Sequence, residues 1–345
     1  MFNTIEDIAQ DIIAVGFDHA TADPIAAQSR PAVWLETRTV ADEADIAPGA
    51  TKLGGCPDLP QGVEWPIRAA YPNAAKTAQS YRDEAANPVK HWSWATPEDR
   101  EIFARESLER AQRIETAQPL SFVAQINFAE MWAAGSLDPD FPRQGVLSLF
   151  YDLEEMPWGF DPQERVGFAV LFYEGSALLT RRKQPATLPK NYHLPPMACT
   201  AHASMTPLPL PMAQYDALDL PETVSQELWN TWWCSEDEHL IGSCDGKDWC
   251  CHRIGGWPTP IQGDMQTECA LVHNGHYCGS GETYKDSALA AIRATATDWL
   301  LLAQIGTDDK GGMAWGDSGQ IYLWIRRDDL IAQRFDQVHL ILQCY

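Results

Sequence analysis

The residues whose types could do metal or thiol chemistry gather late in the sequence. Cysteine and histidine crowd together at Cys234, His239, Cys244, Cys250, Cys251, His252, Cys269, His273, His276 and Cys278. A zinc site needs four converging ligands, usually delivered by two closely spaced pairs. The spacings here are irregular, and the adjacent Cys250 and Cys251 cannot both point inward from a strand. We therefore predict neither a metal nor a cofactor, and keep Cys234, Cys244, Cys250 and His252 as weak metal candidates.

A cysteine nucleophile would need a nearby histidine and an electropositive setting that lowers the pKa of the thiol. Cys250, Cys251 and His252 supply the residue types, but their neighbours in the sequence are acidic and would raise a thiol pKa. Those neighbours are Glu236, Asp237, Glu238, Asp245 and Asp248. The sequence also lacks the GxGxxG, P-loop, GxSxG and HExxH motifs. These observations favour a protein that is not an enzyme.

The stretch TDDKGGMAWGDSG contains carboxylates among glycines. Asp308, Asp309 and Asp317 could bind a cation or act as an acid/base pair, although their spacing does not match a calcium loop. The alternative is a turn in which the carboxylates accept backbone N–H bonds and Trp315 packs beneath them. This stretch has no strong counterpart in the first half of the chain, so it is the first place to look for a site.

Two glutamines, Gln125 and Gln304, interrupt otherwise apolar strands. A buried amide without partners costs about 1–3 kcal/mol, so each must find hydrogen bonds. Either each amide bonds to the sheet edges or glycine turns, or both line a cleft at a pseudo-twofold axis. The tentative ligand-binding set is therefore Gln125, Gln304, Asp308, Trp315 and Asp317.

Hydrophobic patterning predicts the elements that position these residues. We expect strands at 31–40, 119–127, 145–151, 166–173, 268–272, 299–305, 320–326 and 337–343. We expect helices at 4–15, 96–114, 222–233 and 286–297, the second of which begins at the cap signal Thr96-Pro97-Glu98-Asp99. Residues 67–118 are predicted to form a helical excursion, and the proline-rich segment 183–221 is predicted to be irregular.

Three motifs occur twice and in the same order. KLGGCPDLPQG from Lys52 matches RIGGWPTPIQG from Arg253, FVAQI at 122–126 matches LLAQI at 301–305, and GVLSLF at 145–150 matches GQIYLW at 319–324. Recurrence in one order predicts a duplication. The expected fold is α+β and mainly β: one domain over 1–345, built from two structural repeats at about 31–181 and 250–345. The repeats are antiparallel, roll-like and related by a pseudo-twofold axis, with helices at the periphery.

The same residues resemble the YwqG-like family, a bacterial domain of unknown function (DUF1963). The resemblance rests on the glycine-proline turn before Trp65-Pro66, on PLSFVAQIN and LLLAQI, on WGDSG and on the Gln-Cys-Tyr ending, and covers roughly Pro31 to Tyr345. It implies a roll-like α+β fold with an internal duplication, found in cytoplasmic proteins. It implies no established activity, although some members are associated with immunity against toxins.

Composition limits the partners. The formal net charge of −23 makes binding to nucleic acids or anionic membranes by charge attraction unfavourable. The N-terminus lacks a signal-peptide pattern and no apolar run could span a bilayer, so we expect a cytoplasmic protein. Fourteen tryptophans and the acidic composition favour a protein-binding module, of immunity type for example, and predict a basic partner. The alternative is an enzyme or small-ligand binder with a cleft between the two repeats.

Overall fold

A computed structural model describes residues 2–175, 178–210, 212–233 and 252–345. The strands are β1 (Arg30–Thr39), β2 (Lys52–Leu53), β3 (Asp58–Pro60), β4 (Ile67–Arg68), β5 (Gln118–Pro119), β6 (Ser121–Asn127), β7 (Val146–Tyr151), β8 (Phe168–Tyr173), β9 (Leu179–Arg181), β10 (Met197–Thr206), β11 (His252–Gly255), β12 (Trp299–Gly306), β13 (Gln320–Arg326) and β14 (His339–Gln343). The helices are α1 (Ile5–Ala14), α2 (His19–Ala26), α3 (Ala74–Ala86), α4 (Pro88–His91), α5 (Pro97–Ile114), α6 (Phe128–Ala134), α7 (Ala213–Asp216), α8 (Glu222–Leu228), α9 (Gln266–His273), α10 (Gly281–Lys285), α11 (Ala290–Arg293) and α12 (Arg327–Ile331).

One sheet of ten strands dominates the molecule, in the order β14-β13-β12-β11-β1-β10-β2-β6-β7-β8. Every neighbouring pair is antiparallel. The two longest strands, β1 and β10, pair over their whole length at the centre, from Arg30 opposite Thr206 to Thr39 opposite Met197. The predicted α+β, mainly β class is therefore confirmed.

The two edges of this sheet are joined by packing. The Leu342 N–H in edge strand β14 donates to the Trp158 carbonyl, in the connection between β7 and β8, at 2.9 Å. Phe172 of the other edge strand, β8, lies with its ring 4.5 Å from that of Phe335, just before β14. The sheet thus curls around one apolar core, since side chains on its inner face, such as Val33, must leave water.

Local sequence signals placed the capped helices correctly. Thr4 forms a capping box with Asp7 at the start of α1, and the Thr96 side chain accepts the Asp99 N–H at the start of α5. The excursion at 67–118 is helical as predicted. Its base is closed by the short pair β4–β5, and the buried Arg68 donates to Asp152 at 2.6 Å. No helix in the described part of the chain is long and apolar enough to cross a membrane.

Three sequence-based expectations are wrong. The segment 183–221 is not irregular throughout, because it contains β10, whose sequence MACTAHASMT lacks strand-like alternation and which pairs with β1 and β2. Residues 268–272 form part of helix α9 and no strand; the Asp264 carboxylate accepts the Gln266 and Thr267 N–H groups at its start. The helix expected at 286–297 is broken into short turns around α11.

Candidate functional site

The two strand glutamines lie at equivalent places in different parts of the sheet. Both side chains are fully buried. Gln125 Oε1 accepts the Asp58 N–H at 2.9 Å, and Gln304 Oε1 accepts the Thr259 N–H at 2.8 Å. Each amide thus holds the backbone that follows a glycine pair, which answers the requirement that a buried amide be bonded. Strands β11, β1, β10 and β2 lie between the two glutamine strands in the sheet.

The glycine turns themselves have matching geometry. Gly54 and Gly55 have φ of 62° and 74°, and Gly255 and Gly256 have 68° and 75°, a region that favours glycine. A basic side chain precedes each pair and pairs with the glutamine across the sheet, Lys52 with Gln125 and Arg253 with Gln304.

These two basic side chains also reach matching atoms. Lys52 Nζ donates to the Cys56 carbonyl, and an Arg253 Nη donates to the Trp257 carbonyl at 2.7 Å. Both acceptors lie one residue beyond the second glycine of their pair. A register shift also interrupts each glutamine strand, within 122–124 in β6 and within 301–303 in β12.

The aspartate turn is built around Asp308. Its Oδ2 accepts the Thr37 hydroxyl at 2.7 Å and lies 3.3 Å from His252 Nε2, while Oδ1 accepts the Lys310 and Gly311 N–H groups. Burial alone would raise the pKa of Asp308, but the hydrogen bonds from His252 and Thr37 outweigh it and hold the pKa well below its usual 3.8. Asp308 therefore ties the turn to β1 and β11.

The other two candidate residues of this turn, Trp315 and Asp317, lie in different environments. Trp315 is fully buried, with its Nε1 donating to the Gly306 carbonyl at 2.9 Å. Asp317 lies at the surface, where its carbonyl accepts the Tyr345 N–H at 3.0 Å. Asp308 and Trp315 thus share one turn, and Asp317 does not join Asp308 in a carboxylate pair.

The structure describes only one of the four candidate metal ligands, His252. Cys234, Cys244 and Cys250 lie outside the described residues. His252 is engaged with Asp308, and its buried Nδ1 has no hydrogen-bond partner among the described residues. Within the described ranges, no three histidine, cysteine, aspartate or glutamate side chains converge as a metal site would require. Five cysteines there are free thiols: Cys56, Cys199, Cys269, Cys278 and Cys344.

A pocket of about 330 Å³ lies where three separate segments meet. One wall is the connection between β7 and β8 (residues 157–168), the second is the end of α9 at residues 272–275, and the third is the start of β14 with the residues before it, 336–340. Its polar lining includes Glu164, Arg165, His273 and His339. Its volume is at the lower end of the range for small-molecule sites.

His339 is the unusual group in this lining. It is only 8% exposed, and its Nε2 has no hydrogen-bond partner among the described residues. Burial, together with the positive charge of Arg165, lowers the pKa of His339 to about 3, so the imidazole is neutral at physiological pH. The backbone of Gly159 favours the protonated form of the ring and so opposes this lowering of the pKa.

Gly159 allows the 157–168 connection to lie close to β14. Its φ is 94°, and a Cβ at this position would lie 2.1 Å from the Leu340 carbonyl oxygen. The chain can therefore approach β14 only without a side chain, which brings the 157–168 connection against His339.

The charges around the pocket do not cancel as ion pairs. Arg165 donates to two backbone carbonyls, those of Phe168 at 3.1 Å and Asp336 at 2.6 Å, and no described carboxylate forms an ion pair with it. Burial raises the pKa of Glu164, although the Gly159 N–H, which donates to its Oε2 at 2.7 Å, opposes the shift. Behind the pocket on α9, burial raises the pKa of Glu268 to about 7. Shifted titratable groups cluster at functional sites more often than elsewhere.

Sequence reasoning missed this pocket. His339 and Arg165 lie 174 positions apart and belong to no motif, so nothing in their spacing links them. The one available signal was a histidine within the predicted strand 337–343, a polar residue among apolar neighbours comparable to Gln125 and Gln304.

A family model described as a domain of unknown function (DUF1963) matches residues 51–344, and the chain therefore belongs to this family. No match was found among curated proteins.

Proposed function

We propose that this member of the DUF1963 family binds a small ligand in the pocket formed by the 157–168 connection, the end of α9 and the start of β14. The observation that carries the proposal is His339, a buried imidazole in the lining of a pocket, whose Nε2 has no hydrogen-bond partner among the described residues. A buried acceptor without a partner costs stability, about 1–3 kcal/mol, and such a cost is expected at functional sites.

The position of the pocket also favours this function. Its walls come from residues 157–168, in the first predicted repeat, and from 272–275 and 336–340, in the second. The sequence-based alternative was a small-ligand binder with a cleft between the repeats, although with other residues. Ligand sites commonly lie at the junction of two structural units.

We also infer that the two repeats arose by duplication. Supporting this inference are the matched glycine turns, the matched glutamine anchors and the register shifts at equivalent places in β6 and β12. The order of strands in the sheet reads the same from either end when β2, β6, β7 and β8 are set against β11, β12, β13 and β14. In that arrangement β1 and β10 form the centre.

A fragment screen by ligand-observed NMR tests ligand binding. We expect hits that compete with one another and that bind His339→Leu at least about tenfold more weakly, the effect of losing one good hydrogen bond. His202→Leu is the matched control, because His202 lies half-exposed on β10 and does not line the pocket. Hits that bind both variants as tightly as the wild type would place binding elsewhere, and a screen without hits would count against the function.

Protein binding is the second candidate, and one observation favours it. Trp94 is 77% exposed on the helical excursion, where its ring lies 5.9 Å from that of Phe103, and Phe103 also contacts Trp92. Exposed tryptophans are enriched where proteins meet. An acidic chain of this kind suits a basic partner, and immunity against a toxin is one version of the proposal.

Trp94→Ala tests the second candidate, with Ile331→Ala, at a side chain 58% exposed, as the control. We expect a protein partner recovered with the wild type and with Ile331→Ala, at low and at high salt, to be lost with Trp94→Ala. If the partner is retained by Trp94→Ala, this surface is not the interface. The YwqG-like assignment, the bacterial origin and the cytoplasmic location stay predictions from the sequence.

A further inference from the structure

We propose that a groove along helix α5 binds an extended segment of a partner protein that carries arginine or lysine. The inference rests on protein binding, the second candidate function, and adds the place of the contact and the chemistry of the partner. It depends on three features of the helical excursion: a fixed group of aromatic rings, a groove beside them, and carboxylates in that groove without ion pairs among the described residues.

The aromatic rings lie together and are held in place. The Phe103 ring lies 5.7 Å from that of Trp92 and 5.9 Å from that of the exposed Trp94. Arg100 Nε donates to the Trp92 carbonyl at 2.8 Å, and its Nη2 donates to the Ser93 carbonyl at 2.7 Å. The stretch that carries both tryptophans is thus fixed against α5. Rings that are ordered before binding lose little entropy when a partner covers them.

The groove of about 550 Å³ runs along one face of α5. From this helix it is lined by Phe103, Glu106, Ser107, Glu109, Arg110 and Arg113. The first and last of these positions are about 15 Å apart along the helix axis, at 1.5 Å per residue. Trp92, Glu84 of α3 and the segment at residues 189–192 complete the lining. This length matches about four to five residues of extended chain.

The two arginines of the groove are already paired with carboxylates. Arg110 Nε donates to Glu155 Oε1 at 2.9 Å and its Nη2 donates to Oε2 at 3.2 Å. Arg113 Nη2 donates to Glu154 Oε1 at 2.6 Å, and the Tyr192 hydroxyl donates to the same oxygen at 3.0 Å. Because bidentate pairs of this kind match charge for charge, the arginines do not make the groove basic.

Two further carboxylates leave the groove acidic. Glu106 is exposed on α5, three residues after Phe103 and therefore on the same face of the helix. Glu84 is half-buried on α3, which packs against α5. Neither side chain forms an ion pair with any other described residue. Negative charge and aromatic rings thus line one groove.

Arginine and lysine side chains complement both features of this lining. Their charged ends pair with carboxylates, and a guanidinium or ammonium group is attracted to the face of an aromatic ring. Their aliphatic stems cover apolar surface at the same time. An acidic segment would instead meet like charge, which disfavours the wrong partner.

Mixtures of labelled hexapeptides test this chemistry. Each mixture has one central residue fixed and the others randomised, and its affinity for the full chain would be measured by fluorescence anisotropy. We expect the arginine and lysine mixtures to bind at least about threefold more tightly than the mixture fixed as citrulline, the neutral counterpart of arginine. The glutamate mixture should bind most weakly. Equal affinity for arginine and citrulline, or a preference for glutamate, would overturn the assigned chemistry.

Two double variants tie the preference to the groove. Glu84→Gln combined with Glu106→Gln should remove the preference for arginine over citrulline. The control, Glu174→Gln combined with Glu282→Gln, removes the same charge from exposed positions outside the groove and should keep the preference. If both double variants lose it equally, the preference belongs to the net charge of the chain and the groove is not the site.

The class of partner and protein binding itself can fail separately. If a protein partner is recovered with the wild type and lost with Trp94→Ala, while no basic mixture is preferred, protein binding stands and the basic segment is wrong. If no partner is recovered and no mixture binds, both are wrong. A partner that is lost with the Glu84→Gln and Glu106→Gln chain and retained by the control supports both.

Discussion

Two buried histidines, His252 and His339, differ in their hydrogen-bond partners. His252 faces the Asp308 carboxylate at 3.3 Å, whereas His339 Nε2 has no partner among the described residues. Removing a buried polar side chain usually destabilises a protein, because the group that it was bonded to is left buried without a hydrogen bond. That reason applies to His252 and not to Nε2 of His339, so the two residues should respond differently to the same substitution.

We expect His252→Leu to lower the free energy of unfolding by about 2 kcal/mol, because the buried Asp308 carboxylate loses a hydrogen-bond partner. His339→Leu should stay within about 1 kcal/mol of the wild type, since removing an unpartnered acceptor recovers its desolvation cost. Urea unfolding of both variants measures the difference. Equal losses would mean that His339 is a structural residue.

Asp308 also predicts a dependence on pH. Its pKa in the folded state is lowered below the unfolded value of 3.8, so the stability it contributes is present above about pH 4 and is lost as the pH falls toward the folded pKa. We expect the difference in unfolding free energy between wild type and Asp308→Asn to be largest near pH 6 and to shrink towards pH 3. A difference that is constant over this range, or that grows on acidification, would contradict the account.

At the scale of elements, the glycine turns and their glutamines behave as units. Each turn depends on positive φ at two glycines and on a glutamine in the neighbouring strand that accepts a backbone N–H. The glycines and the glutamines are visible in the sequence. A hydrogen bond from each glutamine to a sheet edge or a glycine turn was one of the two alternatives that the sequence left open. What it could not show is that the amide oxygen serves the residue three positions after the second glycine, because that depends on the register across the sheet.

We expect Gln125→Leu and Gln304→Leu each to cost about 1–3 kcal/mol of stability, because each strands a buried N–H, at Asp58 or Thr259. Equal losses would agree with the inferred duplication. Neither substitution should alter affinity for the pocket ligand. A change in affinity without a change in stability would instead favour the cleft that the sequence left open for these glutamines.

Prediction succeeded for elements whose signals are local and failed where tertiary pairing decides. Caps at Thr4 and Thr96 mark their helices within a few residues. By contrast, β10 has a small and polar sequence, and it is a strand because β1 and β2 pair with it on both sides. The pocket could not be predicted from the sequence for the same reason, because its three segments meet only when the sheet has curled.

At the scale of the whole molecule, the ten-stranded sheet brings distant residues into one site. Packing between the two edge strands places the 157–168 connection against β14, as the bond from Leu342 to the Trp158 carbonyl shows. Gly159 allows this approach, and His339 and Arg165 come to the same pocket as a result. The site therefore belongs to the closed arrangement of the sheet and to neither predicted repeat alone.

The most direct test of ligand binding observes His339 itself. In the full chain labelled with ¹⁵N-histidine, the ring signals of His339, assigned by their absence from His339→Leu, would be followed during titration with the fragments that the NMR screen identifies. The account predicts that the His339 signals shift on saturation with these fragments, while the His202 signals stay in place. His339 signals that do not respond to any of these fragments would contradict it.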